Sequence, residues 1–398
     1  MGKLNHMLIV VILTLGLVCS SNAAGRPMKV YILAGQSNMQ GHATPATFPS
    51  MAEDPASRAL HAKFVDESGN ARVYEQVRVV SPGGAKHGPL TVGFGANDGK
   101  IGPELGFGVT MYGSLKEPIL IIKEAWGGKS LNNDFRSPSA GAYEFNDKQK
   151  KEWSEENIRK HSEATGKYYR MMVEQAKQVL ADPGKYHPAY NKDAGYELAG
   201  FVWFQGWNDM IDSTTYPDRG KPGCYDLYST LLAHFIRDVR KDFNAPEMPF
   251  VIGVMGVDGF DDEKKAFREA MAAPASMPAF KGNVFAVETA PFWDKALDEL
   301  AMRMWRVKNR NSDKENKYAE LREKVKPLIH AESEARKLTG SERGKKEAEI
   351  RAELDNMVYT PEELTLLKRS VSNGGYHYLG SAKILGRIGE AFAEALLK

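Results

Sequence analysis

Five short apolar runs constrain the fold of this chain more than any other feature. They are rich in β-branched residues and are soon followed by Gly, Asn or Pro; they cover Lys29–Ala34, Pro118–Glu124, Leu198–Phe204, Pro249–Met255 and Val284–Glu288. Short, continuous apolar runs are typical of strands that are buried on both faces of a parallel sheet. Helical patterns lie between them, as in residues 167–180 and 225–243. The alternation predicts an α/β fold in which helices cover both faces of a doubly wound, five-stranded parallel sheet.

Two regions interrupt this alternation. Residues 42–117 are rich in Gly and Pro and are expected to form long loops over the edge of the sheet. Residues 296–370 carry many charges of mixed sign, and Thr360-Pro-Glu-Glu363 has the pattern of a capping box with proline in the first turn. We expect an inserted helical subdomain there, which serves either as a solvated surface or as a lid or partner surface. Residues 24–295 and 371–398 are expected to form the main domain.

The first 23 residues have the pattern of an export signal. A basic start at Lys3 precedes an apolar run over residues 7–18, and Ser21-Asn-Ala23 offers a cleavage site of small residues. The apolar run is too short to span a bilayer comfortably. We therefore expect an exported protein, periplasmic or extracellular, with no membrane attachment after the signal is removed. Cys224 is then the only cysteine, which excludes an intrachain disulfide.

Composition limits the classes of partner. A chain of 398 residues with 42% hydrophobic content can bury a large core. Its net charge of +2 indicates neither a nucleic-acid partner nor a membrane surface. The nine histidines are scattered without the spacing of zinc ligands, so no metal and no organic cofactor is expected. The sequence leaves the oligomeric state open.

A serine lies where the first apolar run ends. Ser37 follows Gly35, which allows a tight bend, so its hydroxyl should project from the carboxyl edge of the sheet. Gln36 and Asn38 place amide groups beside that hydroxyl. Taken alone, the pattern also fits a serine that only caps a turn, and the other strand ends decide between the two interpretations.

Two further segments follow predicted strand ends and should meet Ser37 in space. The glycine pair 127–128 allows backbone N–H groups to approach a ligand closely, as an oxyanion site requires. After the third apolar run, Gln205 and Asn208 offer amide donors, and Trp207 offers an aromatic platform for a sugar ring. These residue types together indicate a polar site that binds a ring-shaped substrate.

A histidine stands in a Gly-rich loop just before the last predicted helix. His377 lies in the segment Asn373–Ser381, which gives its ring no apolar core to pack against. An imidazole in such a loop is a candidate general base for Ser37.

The order of these motifs resembles that of SGNH-type hydrolases, specifically the carbohydrate acetyl esterase branch with its sialate O-acetylesterase-like and acetylxylan esterase-like domains. The matching motifs are Gly35-Gln-Ser-Asn-Met39, Ala125-Trp-Gly-Gly128, Trp203-Phe-Gln-Gly206 and the His377 loop. The resemblance implies a flavodoxin-like, three-layer fold. It also implies that Ser37 is the nucleophile, that His377 is the base, and that the N–H groups of Ser37 and Gly128 form an oxyanion hole with Asn208.

One position departs from the family pattern. The family places an aspartate three residues before its histidine, where this chain has Gly374. We expect the group that orients His377 to be a carboxylate near the end of the fifth run, Asp294 in preference to Glu288, with a backbone carbonyl as the alternative. Both acids also have a structural interpretation, since Asp294 is placed to cap the following helix.

The predicted function is that of an exported serine esterase that removes O-acetyl groups from a carbohydrate through an acyl-enzyme. Gln36, Gln205 and Trp207 are expected to bind the substrate. Glu104 either joins them or is the carboxylate at a helix N-terminus. Two alternatives stay open: a carbohydrate-binding protein that has the same fold without turnover, and a lipase or thioesterase of the wider superfamily.

Overall fold

The computed structural model describes residues 25–219, 221–310 and 316–398, so the expected export signal lies outside the described residues. The strands found there are β1 Met28–Gly35, β2 Tyr74–Ser81, β3 Lys86–Leu90, β4 Ile119–Ala125, β5 Tyr196–Phe204, β6 Phe250–Val254 and β7 Val284–Glu288. They form one sheet in the order β3-β2-β4-β1-β5-β6-β7. Neighbouring strands are parallel except for the antiparallel pair β2 and β3.

The sheet contains the five predicted strands and two that the sequence does not predict. The five are β1, β4, β5, β6 and β7, and among themselves they follow the flavodoxin-like order. The predicted count of five is wrong, because β2 and β3 lie within residues 42–117, for which the sequence predicts loops. Arg78 interrupts the valines of β2 and Glu75 precedes them, while β3 contains Gly88 and Pro89 at the edge of the sheet. Neither strand therefore has a continuous apolar run.

Helices cover both faces of this sheet. The α-helices of the described residues are α1 Ser37–Gln40, α2 Pro49–Glu53, α3 Arg58–Phe64, α4 Pro103–Leu115, α5 Asp147–Glu152, α6 Glu155–Ala164, α7 Lys167–Ala181, α8 Trp207–Ile211, α9 Asp226–Asp242, α10 Lys265–Ala272, α11 Lys295–Lys308, α12 Ala319–Ala335, α13 Gly340–Val358, α14 Pro361–Ser370 and α15 Ala382–Leu396. On β5, Trp203 packs on Phe235 of α9 with ring centroids 4.3 Å apart. Its neighbour Phe204 packs on Phe392 of α15 at 5.3 Å. Because successive strand residues point to opposite faces, α9 and α15 lie on opposite sides of the sheet, which gives three layers.

Helices α4 and α15 cross on one face at backbone contact. A Cβ atom on Gly389 would lie 2.0 Å from the carbonyl oxygen of Pro103, and one on Gly106 would lie 2.0 Å from that of Gly386. Any side chain at these positions would separate the two helices. The crossing therefore fixes the start of α4 against α15.

Helices occupy most of residues 296–370, and they have a hydrophobic cluster of their own. Buried residues of this cluster include Leu300, Met304, Val325 and Leu354. The capping box at Thr360 is present, and Arg303 of α11 makes two hydrogen bonds of 2.7 Å to Glu363 of α14. The status of this region as a separate subdomain stays a prediction. No helix in the described part of the chain is both long enough and apolar enough to cross a membrane.

Candidate active site

Ser37 lies at the turn from β1 into α1. Gly35 ends the strand with φ +153°, and a Cβ atom there would lie 2.2 Å from the carbonyl oxygen of Phe204. Glycine therefore lets β1 approach β5 at this turn. Ser37 is the first helical residue and is 8% exposed, and neither its hydroxyl nor its N–H makes a hydrogen bond within the described residues. Both groups are available to a ligand.

Gln36 joins the Ser37 turn to the loop after β5. Its Oε1 accepts hydrogen bonds from Gly206 N at 3.1 Å, Gln205 Nε2 at 3.2 Å and Asn208 N at 3.4 Å. Gln36 and Gln205 are both buried. Gln205 Nε2 also donates to Lys129 O at 3.0 Å and to Asp209 Oδ2 at 2.6 Å, whereas Gln36 Nε2 is buried without a partner within the described residues. The expected role of both residues as substrate contacts stays a prediction, and their hydrogen bonds join the Ser37 turn to the Asn208 segment.

The glycine loop after β4 lies against Ser37. A Cβ atom on Gly127 would lie 3.8 Å from the Cβ of Ser37, while one on Gly128 would meet nothing within 4 Å. The N–H of Gly128 donates no hydrogen bond within the described part of the chain. Asn208, in the short helix α8, is half-buried, and its side-chain amide likewise makes no hydrogen bond among the described residues. Three unpaired donors thus come from the ends of three adjacent strands, as an oxyanion hole requires.

Asp209 holds two of these segments together. Its buried carboxylate accepts hydrogen bonds from Leu131 N at 2.7 Å, Asn132 N at 3.0 Å and Gln205 Nε2 at 2.6 Å. Burial raises the pKa of Asp209 to about 6, although these donors oppose the effect. The carboxylate therefore anchors the loop after β4 to the loop after β5.

His377 lies in a 3₁₀ turn, Gly375–Gly380, that packs against α1. Its Nδ1 is 2.9 Å from Asn373 Oδ1, which also accepts a hydrogen bond from Gly374 N. The amide oxygen accepts, so Nδ1 carries the proton and Nε2 keeps a lone pair for a proton-transfer role. No hydrogen bond joins His377 to Ser37 within the described residues, as is common in catalytic pairs without substrate.

Buried hydrogen bonds hold the histidine turn in a strained backbone conformation. Tyr378 and Leu379 have φ values of 54° and 60°, in the left-handed region that such side chains rarely adopt. The Tyr378 hydroxyl accepts a hydrogen bond from Gly256 N at 2.8 Å and lies 2.7 Å from Thr289 Oγ1. These buried contacts tie the turn to the ends of β6 and β7.

The structure places neither expected acid beside His377. Asp294 accepts a hydrogen bond from Leu297 N at 2.9 Å, which caps α11, and it pairs with Lys383 at 2.7 Å. Glu288 has a buried Oε2 without a partner in the described residues. Asn373 takes the orienting position instead, four residues before the histidine. The sequence offered one signal for this, since Asn373 opens the Gly-rich segment that contains His377.

A second imidazole, which the sequence did not point to, lies on His377. The rings of His42 and His377 are stacked with centroids 3.8 Å apart and planes at 1°. Lys100 Nζ is 3.3 Å from His42 Nδ1, which must accept because an ammonium group can only donate. Burial, and then the charge of Lys100, lowers the pKa of His377 to about 4. Burial and the adjacent His377 lower that of His42 to about 4 as well.

Glu104 is buried below the site and has no access to a substrate. Its Oε2 is 2.6 Å from Lys123 Nζ, and its Oε1 accepts a hydrogen bond from Gly102 N at 2.9 Å. Lys123 also donates to the carbonyl oxygens of Gln40 at 2.7 Å and Phe94 at 2.6 Å. Of the two expected roles, the structure supports the carboxylate at a helix N-terminus, since Glu104 lies in the first turn of α4, and its ion pair with Lys123 also fixes the end of α1.

Trp207 forms one wall of the site with Tyr376. Their ring centroids are 6.1 Å apart, and the Tyr376 ring lies 4.4 Å from that of His377. The expected aromatic platform is thus present beside the candidate base. The described residues contain no group of three or more His, Cys, Asp or Glu side chains that could hold a metal ion.

This geometry agrees with a family match. The sequence profile of a carbohydrate esterase family, described as sialic acid-specific acetylesterase, matches residues 27–298. The chain belongs to this family. The resemblance inferred from the four motifs is thereby confirmed, and the chain is a carbohydrate esterase. The matched segment contains Ser37, Gly128 and Asn208, whereas His377 lies beyond it.

Two solved structures are similar to the esterase at low sequence identity. A protein from Arabidopsis thaliana is 16% identical over 66% of this chain and 86% of its own, with a TM-score of 0.38. A carbohydrate acetylesterase from Xanthomonas citri is 14% identical over 65% of this chain and 49% of its own, also with a TM-score of 0.38. Among curated proteins, none shows significant similarity to the sequence. The family assignment therefore rests on the profile match.

Proposed function

We propose that this esterase removes O-acetyl groups from a carbohydrate through a serine nucleophile and an acetyl-enzyme. One observation carries the proposal: among the described residues, neither the hydroxyl nor the N–H of Ser37 has a hydrogen-bond partner, and Ser37 lies beside the Gly127–Gly128 loop. The sheet supports it, because β1 lies between β4 and β5, at the switch point where such folds bind ligands.

The reaction begins when His377 Nε2 takes the proton from Ser37 Oγ as that oxygen attacks the acetyl carbonyl carbon. The negative charge on the carbonyl oxygen is stabilised by the N–H groups of Ser37 and Gly128 and by the Asn208 amide. Collapse of this intermediate breaks the bond to the sugar oxygen, which takes the proton from His377. Water, deprotonated by His377, then attacks the carbonyl carbon of the acetyl-serine. The bond to Ser37 Oγ breaks, His377 returns the proton to that oxygen, and acetate is released.

The orienting amide gives this base an unusual character. Asn373 fixes the tautomer of His377 as an aspartate would, but it supplies no negative charge to stabilise the imidazolium form. The positive charge of Lys100 lowers the pKa of His377 further. The imidazole should therefore be a weaker base that stays neutral in mildly acidic solution.

The test is acetate release from a small acetyl ester and from acetylated glycans by the wild type and Ser37→Ala. Ser114→Ala, an exposed serine on α4, is the matched control. Release that is lost in Ser37→Ala and retained in Ser114→Ala supports the proposal. Equal release by the wild type and Ser37→Ala would contradict it, and a preference for long acyl chains would favour the lipase or thioesterase alternative.

We also propose that the esterase is exported, on the strength of the signal pattern in residues 1–23. Expression of the full chain in a bacterium, followed by cell fractionation and N-terminal sequencing, tests this. Processed protein outside the cytoplasm supports export, and unprocessed cytoplasmic protein contradicts it.

A further inference from the structure

A cavity of about 1030 Å³ lies beside the histidine turn. Gly374, Gly375 and Tyr376 line it, and these residues immediately precede the candidate base. Trp207, next to Asn208, lines it as well. The cavity therefore adjoins both the candidate base and one candidate oxyanion donor.

Aromatic rings surround this cavity. Besides Trp207 and Tyr376, its lining includes Trp293 and Phe260. Tyr376 is 48% exposed and Phe260 is 65% exposed, which is costly for large rings unless a ligand covers them. The apolar faces of sugar rings pack on such side chains.

The start of α11 supplies the polar group closest to the histidine turn. Asp298, Met302 and Arg306 line the cavity at intervals of four residues, on one face of the helix. A Cβ atom on Gly375 would lie 3.6 Å from Asp298 Oδ1. Arg306 is two helical turns further away, about 12 Å along the axis.

The carboxylate of Asp298 has no partner of its own. It is half-buried, and it makes no hydrogen bond or ion pair within the described residues. Asp258, which also lines the cavity, is paired with Lys264 at 2.6 Å. An unpaired carboxylate beside exposed aromatic rings is suited to accept hydrogen bonds from the hydroxyl groups of a sugar.

We propose that this cavity binds a neutral sugar unit of the leaving group, with Asp298 accepting hydrogen bonds from its hydroxyls and Trp207 and Tyr376 packing on its ring. This inference rests on the proposed function. Lys295 and Arg306 also line the cavity, and Asp258 is paired with Lys264, so the preference for a neutral sugar rests on Asp298. Its carboxylate lies next to Gly375 and would repel an anionic sugar at the histidine turn. Met302 and Arg306 lie beyond the family match, so this part of the cavity wall comes from outside the matched region.

The test compares Asp298→Asn with the wild type at pH 7.5, where the carboxylate is charged. Substrates are 4-nitrophenyl acetate, acetylated xylo-oligosaccharides as neutral probes, and an O-acetylated sialic acid as the anionic probe. The variant should raise KM for the neutral oligosaccharide by about tenfold or more and leave the small ester unchanged. Asp147→Asn, an exposed aspartate on α5, is the control that should change neither.

A second variant, Met302→Trp, fills the cavity without altering charge, and it should raise KM for the neutral oligosaccharide in the same way. An unchanged KM in both folded variants, or better use of the anionic than of the neutral probe by the wild type, would overturn the proposal. Binding of unacetylated xylo-oligosaccharide to Ser37→Ala, measured by calorimetry with and without Asp298→Asn, decides the question even if no ester is hydrolysed. Because binding is measured without hydrolysis, a negative result for the proposed sugar site can be told apart from a negative result for the proposed esterase mechanism.

Discussion

Lowering the pH is the perturbation that should distinguish His377 from an ordinary histidine. The ring is half-buried and lies on the neutral ring of His42, whose Nδ1 accepts a hydrogen bond from Lys100, while its own Nδ1 is held by the Asn373 amide. The pKa of His377 is lowered from an ordinary 6.5 to about 4, mainly by burial and to a smaller extent by the charge of Lys100. A general base acts in its neutral form, so activity should persist until the pH approaches 4.

The lowered pKa and the ordinary pKa of a histidine predict activities in mildly acidic solution that differ enough to measure. At pH 5.5, a base with a pKa near 4 is about 97% neutral, whereas one at the ordinary value is about 9% neutral, roughly a tenfold difference in active enzyme. The assay is kcat/KM for 4-nitrophenyl acetate from pH 3.5 to 8, because this parameter reports the free enzyme. Circular dichroism at each pH confirms that the protein stays folded.

Replacing Lys100 isolates the contribution of its charge to the pKa of His377. Lys100→Met removes the positive charge, so the midpoint of the acid limb should move to higher pH. Lys281→Met, an exposed lysine before β7 at the opposite edge of the sheet, should leave it unchanged. Burial raises the pKa of both Asp298 and Asp209 to about 6, so the profile is repeated with Asp298→Asn and with Asp209→Asn to assign any acid limb near pH 6. A midpoint near 6.5 that persists in both of these variants, or a midpoint that does not move in Lys100→Met, would contradict the lowered pKa of His377.

Three further predictions concern single contacts of the site. Asn373→Ala should lower kcat by about 10² or more, because His377 loses its orienting acceptor. Asn373→Asp should restore turnover and raise the midpoint of the acid limb of the pH profile, whereas an unchanged kcat in the alanine variant would speak against an orienting role. Asn208→Ala should lower kcat by about 10²–10³ with little change in KM, and a purely KM effect would exclude an oxyanion role. Lys123→Met leaves Glu104 buried without its partner and should lower the free energy of unfolding by about 3–5 kcal/mol in urea titrations; a loss below about 1 kcal/mol would show that the pair contributes little.

The sequence predicted five strands, including the edge strand β7, and missed the neighbouring strands β2 and β3 at the other side of the sheet. A strand covered on both faces is mostly apolar, so β1, β4 and β5 are visible as nearly continuous runs. Strand β2 is only partly covered and keeps polar residues, and β3 borders solvent. Their formation depends on pairing with β4, which a local pattern does not encode.

Residues of the candidate site could be predicted where they come directly after the end of a strand. Ser37 and Asn208 could be placed because the carboxyl ends of adjacent parallel strands meet. The partner of His377 could not be predicted in the same way. Asp294 and Asn373 both carry an acceptor oxygen, and their tertiary contacts decide which of them reaches the histidine. His42 likewise gives no signal in the sequence, since its stacking depends on how two distant loops pack.

The proposed mechanism requires Ser37 to carry the acetyl group during turnover. The measurement is acid quenching of the enzyme within milliseconds of mixing with 4-nitrophenyl acetate, followed by peptide mass spectrometry. We expect one additional acetyl group on the peptide that contains Ser37, and none in Ser37→Ala. Turnover without an acetylated Ser37, or an acetyl group that accumulates on another residue of the active wild-type enzyme, would contradict it.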